Sequence, residues 1–300
     1  MTSNVNLSRR EAVALLACGI LAPRVLGKSA TMLTKPIPSS REPLPVIGLG
    51  TWQTFDVSSP SAALEQVLSE FVKLGGTLVD SSPMYGRSEN VVGDLAKKLG
   101  LHDKLFMATK VWTSGRADGI AQMADSEQKL RGKVDLMQVH NLVDAETHLE
   151  TLRAWKAQKR IRYIGVTHYT ASAYGQLAKY LERGGIDFVQ LNYSVGEREA
   201  EQRLLPLAQE RGIAVLANRP FGSGSLFRDA RNKPVPAFAK ELGATSWAEL
   251  LLKFVVSHPA VTCAIPATSK PEHLRQNMNA GRTPMPDAAM RKRIADALLK

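Results

Sequence analysis

Thr77-Leu78-Val79-Asp80-Ser81-Ser82-Pro83-Met84-Tyr85-Gly86 is the stretch on which the reading of the fold turns. A short apolar run ends abruptly in a carboxylate, and a Ser/Pro/Gly turn delivers a tyrosine five residues later. Apolar runs of this length between turn formers read as buried strands. A charge at the end of such a strand needs a partner or a solvent-filled mouth. Tyrosine, with a pKa near ~10, becomes a useful proton donor when a nearby cation stabilises its phenolate. The apolar-run pattern recurs in Leu105-Phe106-Met107-Ala108-Thr109-Lys110 and in Asp135-Leu136-Met137-Gln138-Val139-His140. Three strand candidates thus end in Asp80, Lys110 and His140, with helical segments between them. Strand–helix units of this length build parallel sheets, and reactive groups collect at the carboxyl ends of their strands.

The same rhythm runs along the chain. Residues 46–51 read as a first strand closed by Trp52, and 61–74 as a helix. That helix has Leu64, Val67, Leu68, Phe71 and Val72 on one face and Gly75-Gly76 as its stop. Helices are expected over 88–99, 119–131, 145–158, 172–183 and 199–211. Further strands are expected over 161–166, 187–192, 213–216 and 261–265. A Gly/Pro-rich loop covers 218–236, a helix 247–257, another begins after Pro271, and a short one covers 287–299. Eight strands alternating with eight helices predict an α/β fold, a closed (β/α)8 TIM barrel forming a single domain over 44–300. A flavodoxin-like open sheet is the other architecture of this rhythm, disfavoured by the strand count.

The 300 residues are 44% apolar, enough for an ample core, and carry a formal net charge of +11. Arg9, Arg10, Arg24 and Lys28 against Glu11 leave +3 in the first thirty residues and +8 in the remainder. A basic surface attracts anions such as nucleotide phosphates; without a basic run or interleaved aromatics, nucleic acid is not the expected partner. Cys18 and Cys263 are the two cysteines, too few for a disulfide framework, and no metal cluster is spelled out. Ser8-Arg9-Arg10, an apolar stretch over 12–22, Pro23 and Gly27-Lys28-Ser29-Ala30 have the layout of a cleaved export signal over 1–30. The paired arginines resemble the twin-arginine type, which implies export machinery as a partner and the bacterial periplasm as destination. The alternative is an ordinary N-terminal helix on a cytoplasmic protein. Eleven apolar residues are too few for a lasting membrane anchor. Residues 31–43, with three prolines, read as a linker.

From residue 45 through 277 the sequence resembles an aldo-keto reductase. Asp80 and Tyr85 match that family's Asp-x4-Tyr-Gly segment, Lys110 its strand-end Thr-Lys, and His140 its strand-four histidine. The resemblance implies a carbonyl substrate and a bound nicotinamide cofactor, NADP(H) favoured and NAD(H) possible. Gly50-Thr51-Trp52 matches the family's first loop, and Asp80 belongs to the cofactor site as well. Thr167, His168 and Gln190 stand where the carboxamide is held. Asn218, Arg219, Phe221 and Ser223 fall where the loop after strand seven wraps the pyrophosphate. Thr268, Ser269, Lys270, His273, Gln276 and Asn277 match the segment that grips the adenosine phosphate. Four positions depart from the pattern. Thr167-His168 replaces Ser-Asn or Ser-Arg, Asn218 stands where an aromatic commonly stacks on nicotinamide, and His273 stands where an arginine often clamps the 2′-phosphate. A neutral histidine lacks the bidentate fork of a guanidinium, whereas Lys270 keeps NADP(H) favoured over NAD(H).

The implied reaction is hydride transfer to an aldehyde or ketone carbon, with Tyr85 protonating the oxygen to give an alcohol. Lys110 is expected to lower the tyrosine pKa, Asp80 to hold that ammonium, and His140 to orient the carbonyl. Trp52 and Trp112 are candidates for a substrate wall. Taken singly, each has a plainer reading as a buried salt bridge, a core histidine or a rim aromatic; four together at adjoining strand ends favour chemistry. His102, His148 and His258, near helix ends, are expected to be solvated. A slow NADP(H)-binding redox sensor or subunit is the other functional reading. A barrel hydrolase would want paired carboxylates or metal-spaced histidines, and Asp80 alone qualifies.

Overall fold

The computed structural model describes residues 31–300, so the expected export signal lies outside the described residues. The chain enters through β1 (Thr34–Pro36) and β2 (Pro43–Pro45), an antiparallel hairpin pairing Thr34 with Pro45 and Pro36 with Pro43. The stretch read as a linker is therefore built into the fold. Ile37 and Leu44 are fully buried among Leu78, Phe106, Leu136 and Phe188. Lys35 donates to the carbonyls of Val256, His258 and Val261 at 2.9, 2.7 and 2.6 Å. The three prolines of 31–43 read as a linker, whereas Ile37 within it and Leu44 just beyond it pack into the core.

Eight parallel strands follow: β3 (Leu49–Gly50), β4 (Leu78–Asp80), β5 (Phe106–Val111), β6 (Leu136–His140), β7 (Tyr163–Thr167), β8 (Phe188–Asn192), β9 (Ala214–Asn218) and β10 (Cys263–Ala264). Each pairs with the next in sequence. Parallel bridges Ile47 to Ala264 and Gly50 to Ala267 join the first to the last, so the sheet closes into the (β/α)8 barrel. The covering helices are α1 (Ala62–Lys73), α2 (Ser88–Leu99), α3 (Arg116–Lys129), α4 (Ala145–Ala157), α5 (Tyr174–Arg183), α6 (Leu204–Glu210), α7 (Ser225–Asp229), α8 (Trp247–Val256), α9 (Pro271–Ala280) and α10 (Ala288–Leu299). Among the described residues no helix is long and apolar enough to cross a membrane.

Local chemistry sets these boundaries. Ser61 caps α1 by accepting from the Leu64 amide at 3.3 Å, and the helix buries Leu64, Val67, Leu68 and Phe71. Each such side chain contributes roughly 1.5–3 kcal/mol. Gly100, with φ of 64°, ends α2 in the left-handed conformation that glycine adopts freely. The helix expected over 199–211 is broken at Arg203 into a short 3-10 turn and α6. Pro206 explains the break, since it has no N–H to carry the helix back across that point. The expected loop over 218–236 instead contains a 3-10 turn (Gly222–Gly224) and α7. His148 is also corrected: it is fully buried in α4 with Nε2 2.7 Å from the Thr113 carbonyl, not solvated.

Strand alternation carries the fold to the site. Leu78 in β4, Phe106 and Ala108 in β5, and Leu136 in β6 face one apolar cluster inside the barrel. Val79, Met107, Val111, Met137 and Val139 face the cluster shared with the helices. Counting two residues at a time from Leu78, Ala108 and Leu136 leads to Asp80, Lys110 and then Gln138 and His140. The polar strand ends therefore share the barrel interior at its carboxyl mouth. At the closing seam Gly50 passes so near β10 that an added β-carbon would lie 2.7 Å from the Ile265 carbonyl oxygen. Gly50→Ala is expected to destabilise the fold by about 1–3 kcal/mol. Urea unfolding checks this: the midpoint falls with an unchanged slope, and an unmoved midpoint would mean that the seam yields freely.

Candidate active site

A buried ion pair sits at the centre of the mouth. Lys110 Nζ donates to Asp80 Oδ2 at 2.6 Å and to the Ser81 carbonyl at 2.7 Å. Gln138 Nε2 and Gln190 Nε2 donate to Asp80 Oδ1 at 3.0 and 2.9 Å. An ionised carboxylate only accepts, so it fixes which way both amides point. Burial alone disfavours the lysine charge, but the Asp80 carboxylate and the Tyr85 phenol outweigh it and hold the ammonium above its usual range.

Tyr85 reaches this pair because its turn is tight: its amide donates to the Ser82 carbonyl at 3.0 Å. Lys110 Nζ lies 4.9 Å from the Tyr85 ring centroid, and the ring meets His140 edge-on at 5.8 Å. Burial raises the phenol pKa more than the Lys110 charge lowers it, and the net shift is upward. The expected lowering by Lys110 is present, but burial outweighs it. A proton donor must start protonated, and Lys110 acts on the phenolate only as it forms.

His140 is kept neutral, pushed down to about 2 by burial and then by the charges of Lys110 and His168. Its Nδ1 lies 2.9 Å from Ser82 Oγ. That oxygen accepts from the Met84 amide at 3.3 Å, which leaves its own O–H to donate. With Ser82 as the donor to Nδ1, the imidazole proton is expected on Nε2. Ser82 and Gln138 were both absent from the sequence reading. Gln138 lies two residues before His140 on the same strand face, a signal that was available; Ser82 could be found only from the turn geometry.

Around these groups opens a cleft of about 850 Å³. It is lined by Gly50, Thr51, Trp52, Asp80, Tyr85, Trp112, His140, Thr167, Gln190, Asn218, Arg219, Phe221 and Ser223 among the residues singled out by sequence. Met84, Asn141, Tyr169 and Phe227 line it as well, and nothing in their spacing marked them. Trp52 and Trp112 are 43% and 42% exposed, so both present broad apolar faces to solvent. His168 is absent from the wall: it stacks on Tyr169 at 5.4 Å while Nδ1 accepts from the Thr170 amide at 3.3 Å. Thr268, Ser269, Lys270, His273, Gln276 and Asn277 lie off the cleft, from the end of β10 into α9. Thr268 Oγ1 accepts from the Lys270 amide at 3.1 Å, and Lys270 precedes Pro271 at the start of α9. Lys270 and His273 are exposed and Asn277 is buried.

A closed (β/α)8 barrel with a phenol, an ammonium, a carboxylate and a neutral imidazole at its carboxyl mouth defines a class of barrel oxidoreductases. The chain belongs to the aldo/keto reductase family, whose family model matches residues 46–296. It is 29% identical over 243 residues to methylglyoxal reductase YeaE of Escherichia coli strain K12, covering 78% of this chain and 84% of that protein. Among solved structures it resembles an aldo/keto reductase of Klebsiella pneumoniae in complex with NADP and acetate. That likeness has a TM-score of 0.73 and 26% identity over 86% of this chain and 93% of the other. The holo form of aldo-keto reductase AKR11C1 from Bacillus halodurans shares the fold at a TM-score of 0.73 and 21% identity, with 89% and 96% covered.

Ser82→Ala removes the donor to Nδ1 and is expected to convert His140 from the Nε2–H tautomer to a mixture. Long-range proton–nitrogen NMR of histidine-labelled protein reads this directly, and a retained single tautomer would exclude Ser82 from that task. Because His140 is neutral far below its ordinary 6.5, the pH profile of any turnover is expected to lack an inflection near 6.5. An inflection there would mean that the imidazole titrates normally.

Proposed function

We propose that the protein reduces an aldehyde or ketone to an alcohol with a reduced nicotinamide cofactor, Tyr85 supplying the proton. The observation that carries this reading is Lys110 Nζ, held by Asp80 at 2.6 Å and standing 4.9 Å from the Tyr85 ring. Family membership supports the same chemistry.

The cleft suits the cofactor. Asn141 Oδ1 and Asn218 Oδ1 are buried oxygens without a hydrogen-bond partner, on two residues that line it. Two orphaned acceptors call for a ligand with N–H donors, as a carboxamide has. Gln190 Oε1, which accepts from Asn218 Nδ2 at 3.4 Å, keeps a second lone pair for the same purpose, since Nε2 is committed to Asp80. When bound, the reduced nicotinamide supplies the hydride. Lys270 and His273, both exposed at the start of α9, supply cationic and hydrogen-bonding contacts for a 2′-phosphate, which favours NADP(H) over NAD(H). The solved Klebsiella pneumoniae relatives are complexes with NADP or NADPH.

The protein groups then divide the work. His140 Nε2–H and the Tyr85 hydroxyl converge on the carbonyl oxygen and fix the exposed face of its carbon. Tyr85 transfers its proton to that oxygen, and the Lys110 ammonium stabilises the phenolate left behind. Asp80 anchors Lys110 so that it need not reorganise during the step. Trp52 and Trp112 wall the approach and exclude water from one side of the cleft. We also propose that the Arg9-Arg10 leader directs export to the periplasm, on the strength of its charged start and the apolar stretch over 12–22.

Tyr85→Phe is expected to lower kcat by about 10²–10⁴-fold, the range for a lost general acid, while NADPH binding changes little. Single-turnover oxidation of bound NADPH by an aldehyde checks this, and retained turnover would remove Tyr85 from the mechanism. NADPH is expected to bind more tightly than NADH in a fluorescence titration; equal affinities would refute the role of Lys270. Replacing both leader arginines by lysine is expected to abolish periplasmic recovery of the full-length chain on cell fractionation, and undiminished recovery would refute twin-arginine export.

A further inference from the structure

Charge in the cleft does not balance. Asp80 and Arg219 are the ionised side chains of its lining, and Asp80 is neutralised by Lys110. Arg219 has no carboxylate partner among the described residues; its recorded contact is with Tyr169, the guanidinium carbon lying 4.5 Å from that ring centroid. Placing it there costs the backbone some strain. Arg219 directly follows β9 and has φ of 49°, a left-handed conformation uncommon outside glycine and asparagine. A non-glycine residue held this way next to a cleft is a pointer to function. The guanidinium charge also acts on the Tyr85 phenol, pulling it downward against burial, so it lies within electrostatic reach of the proposed proton donor. The same cleft has an apolar wall, with Trp52, Trp112 and Phe227 each exposed by more than two fifths.

We propose that Arg219 binds a carboxylate carried by the carbonyl substrate, so that the preferred substrates are oxo acids with an apolar body. This rests on the reductase reading and adds the substrate class. The carbonyl sits at Tyr85 and His140, the body lies along Trp52 and Trp112, and the carboxylate meets the guanidinium in the bidentate geometry that a planar fork provides. Stacking on Tyr169 holds the fork before the substrate arrives, which reduces the ordering cost of binding. The cofactor's pyrophosphate is the other anion that could reach Arg219, and the experiment separates the two.

Steady-state kinetics with NADPH on 4-carboxybenzaldehyde and 4-methylbenzaldehyde give a ratio of kcat/KM for wild type, Arg219→Lys and Arg219→Met. The ratio is expected to favour the acid in wild type and to fall by about 10- to 100-fold in Arg219→Met, the range for a lost charge-assisted hydrogen bond. Arg219→Lys is expected to fall between them, because it keeps the charge and loses the fork. An unchanged ratio, with or without weaker NADPH binding, would overturn the proposal, and weaker NADPH binding would then assign Arg219 to the pyrophosphate. Equilibrium titration with benzoate and with benzamide, read by tryptophan fluorescence, gives a second answer independent of turnover. Loss of benzoate binding alone in Arg219→Met supports the proposal, whereas equal loss of both ligands or of neither overturns it. Failure of wild type to reduce either aldehyde would count against the reductase reading, while the benzoate titration would still decide the role of Arg219.

Discussion

The 2.6 Å contact between Lys110 and Asp80 is the constraint that the rest of the structure serves. Both side chains are essentially removed from water, at 0% and 2% exposure. Desolvating two charges costs several kcal/mol per ion, and Coulomb attraction offsets this only if the remaining hydrogen-bonding capacity is met. Here it is met by three further groups: the Ser81 carbonyl on the ammonium, and the Gln138 and Gln190 amides on the carboxylate. A pair so completely enclosed is a poor investment in stability compared with two leucines. It makes sense where a fixed positive charge must be kept beside a weak acid.

The barrel makes that enclosure possible. Parallel pairing sets Asp80 against Ala108, Lys110 against Gln138, His140 against Thr167 and Thr167 against Gln190. Because side chains alternate between the interior and the helix layer, residues two apart on a strand, such as Leu78 and Asp80 or Ala108 and Lys110, reach the same inner surface. Leu78, Ala108 and Leu136 thus fill the barrel below and aim the charged ends above. Closure matters equally, for the Ile47 and Gly50 bridges bring the first loop, with Trp52, around to the cleft. An open sheet would leave that tryptophan on a far edge.

Electrostatics in the mouth runs in opposite directions at neighbouring groups. Burial raises the Tyr85 phenol and lowers the His140 imidazole, so both begin uncharged, while Asp80 keeps Lys110 charged between them. A neutral acid, a neutral hydrogen-bond donor and a fixed cation suit a reaction in which negative charge develops on one oxygen. Arg219, without a carboxylate partner among the described residues, adds a second positive charge at the rim. The cleft is thereby tuned to negative charge, developing at one point and permanent at another.

Amino-acid order alone determined the strand–helix alternation, the barrel it implies, and the polar residues near the ends of three strands, because period-two and period-3.6 patterns are local properties. Asp80, Lys110 and His140 were legible for that reason. Other features depended on contacts between segments distant in sequence. The prolines of 31–43 concealed a hairpin whose Ile37 packs against barrel residues far along the chain. His148 looked like a surface helix residue until the Thr113 carbonyl closed over it. The upward shift of the Tyr85 phenol is a balance of burial against two cations, Lys110 and Arg219, and burial is a property of the assembled fold. Tertiary structure likewise decided that Ser82 meets Nδ1 of His140, how the Gln190 amide is oriented, and that Arg219 meets Tyr169 and no carboxylate among the described residues. Each depends on which groups meet in space, and one-dimensional order does not contain those distances.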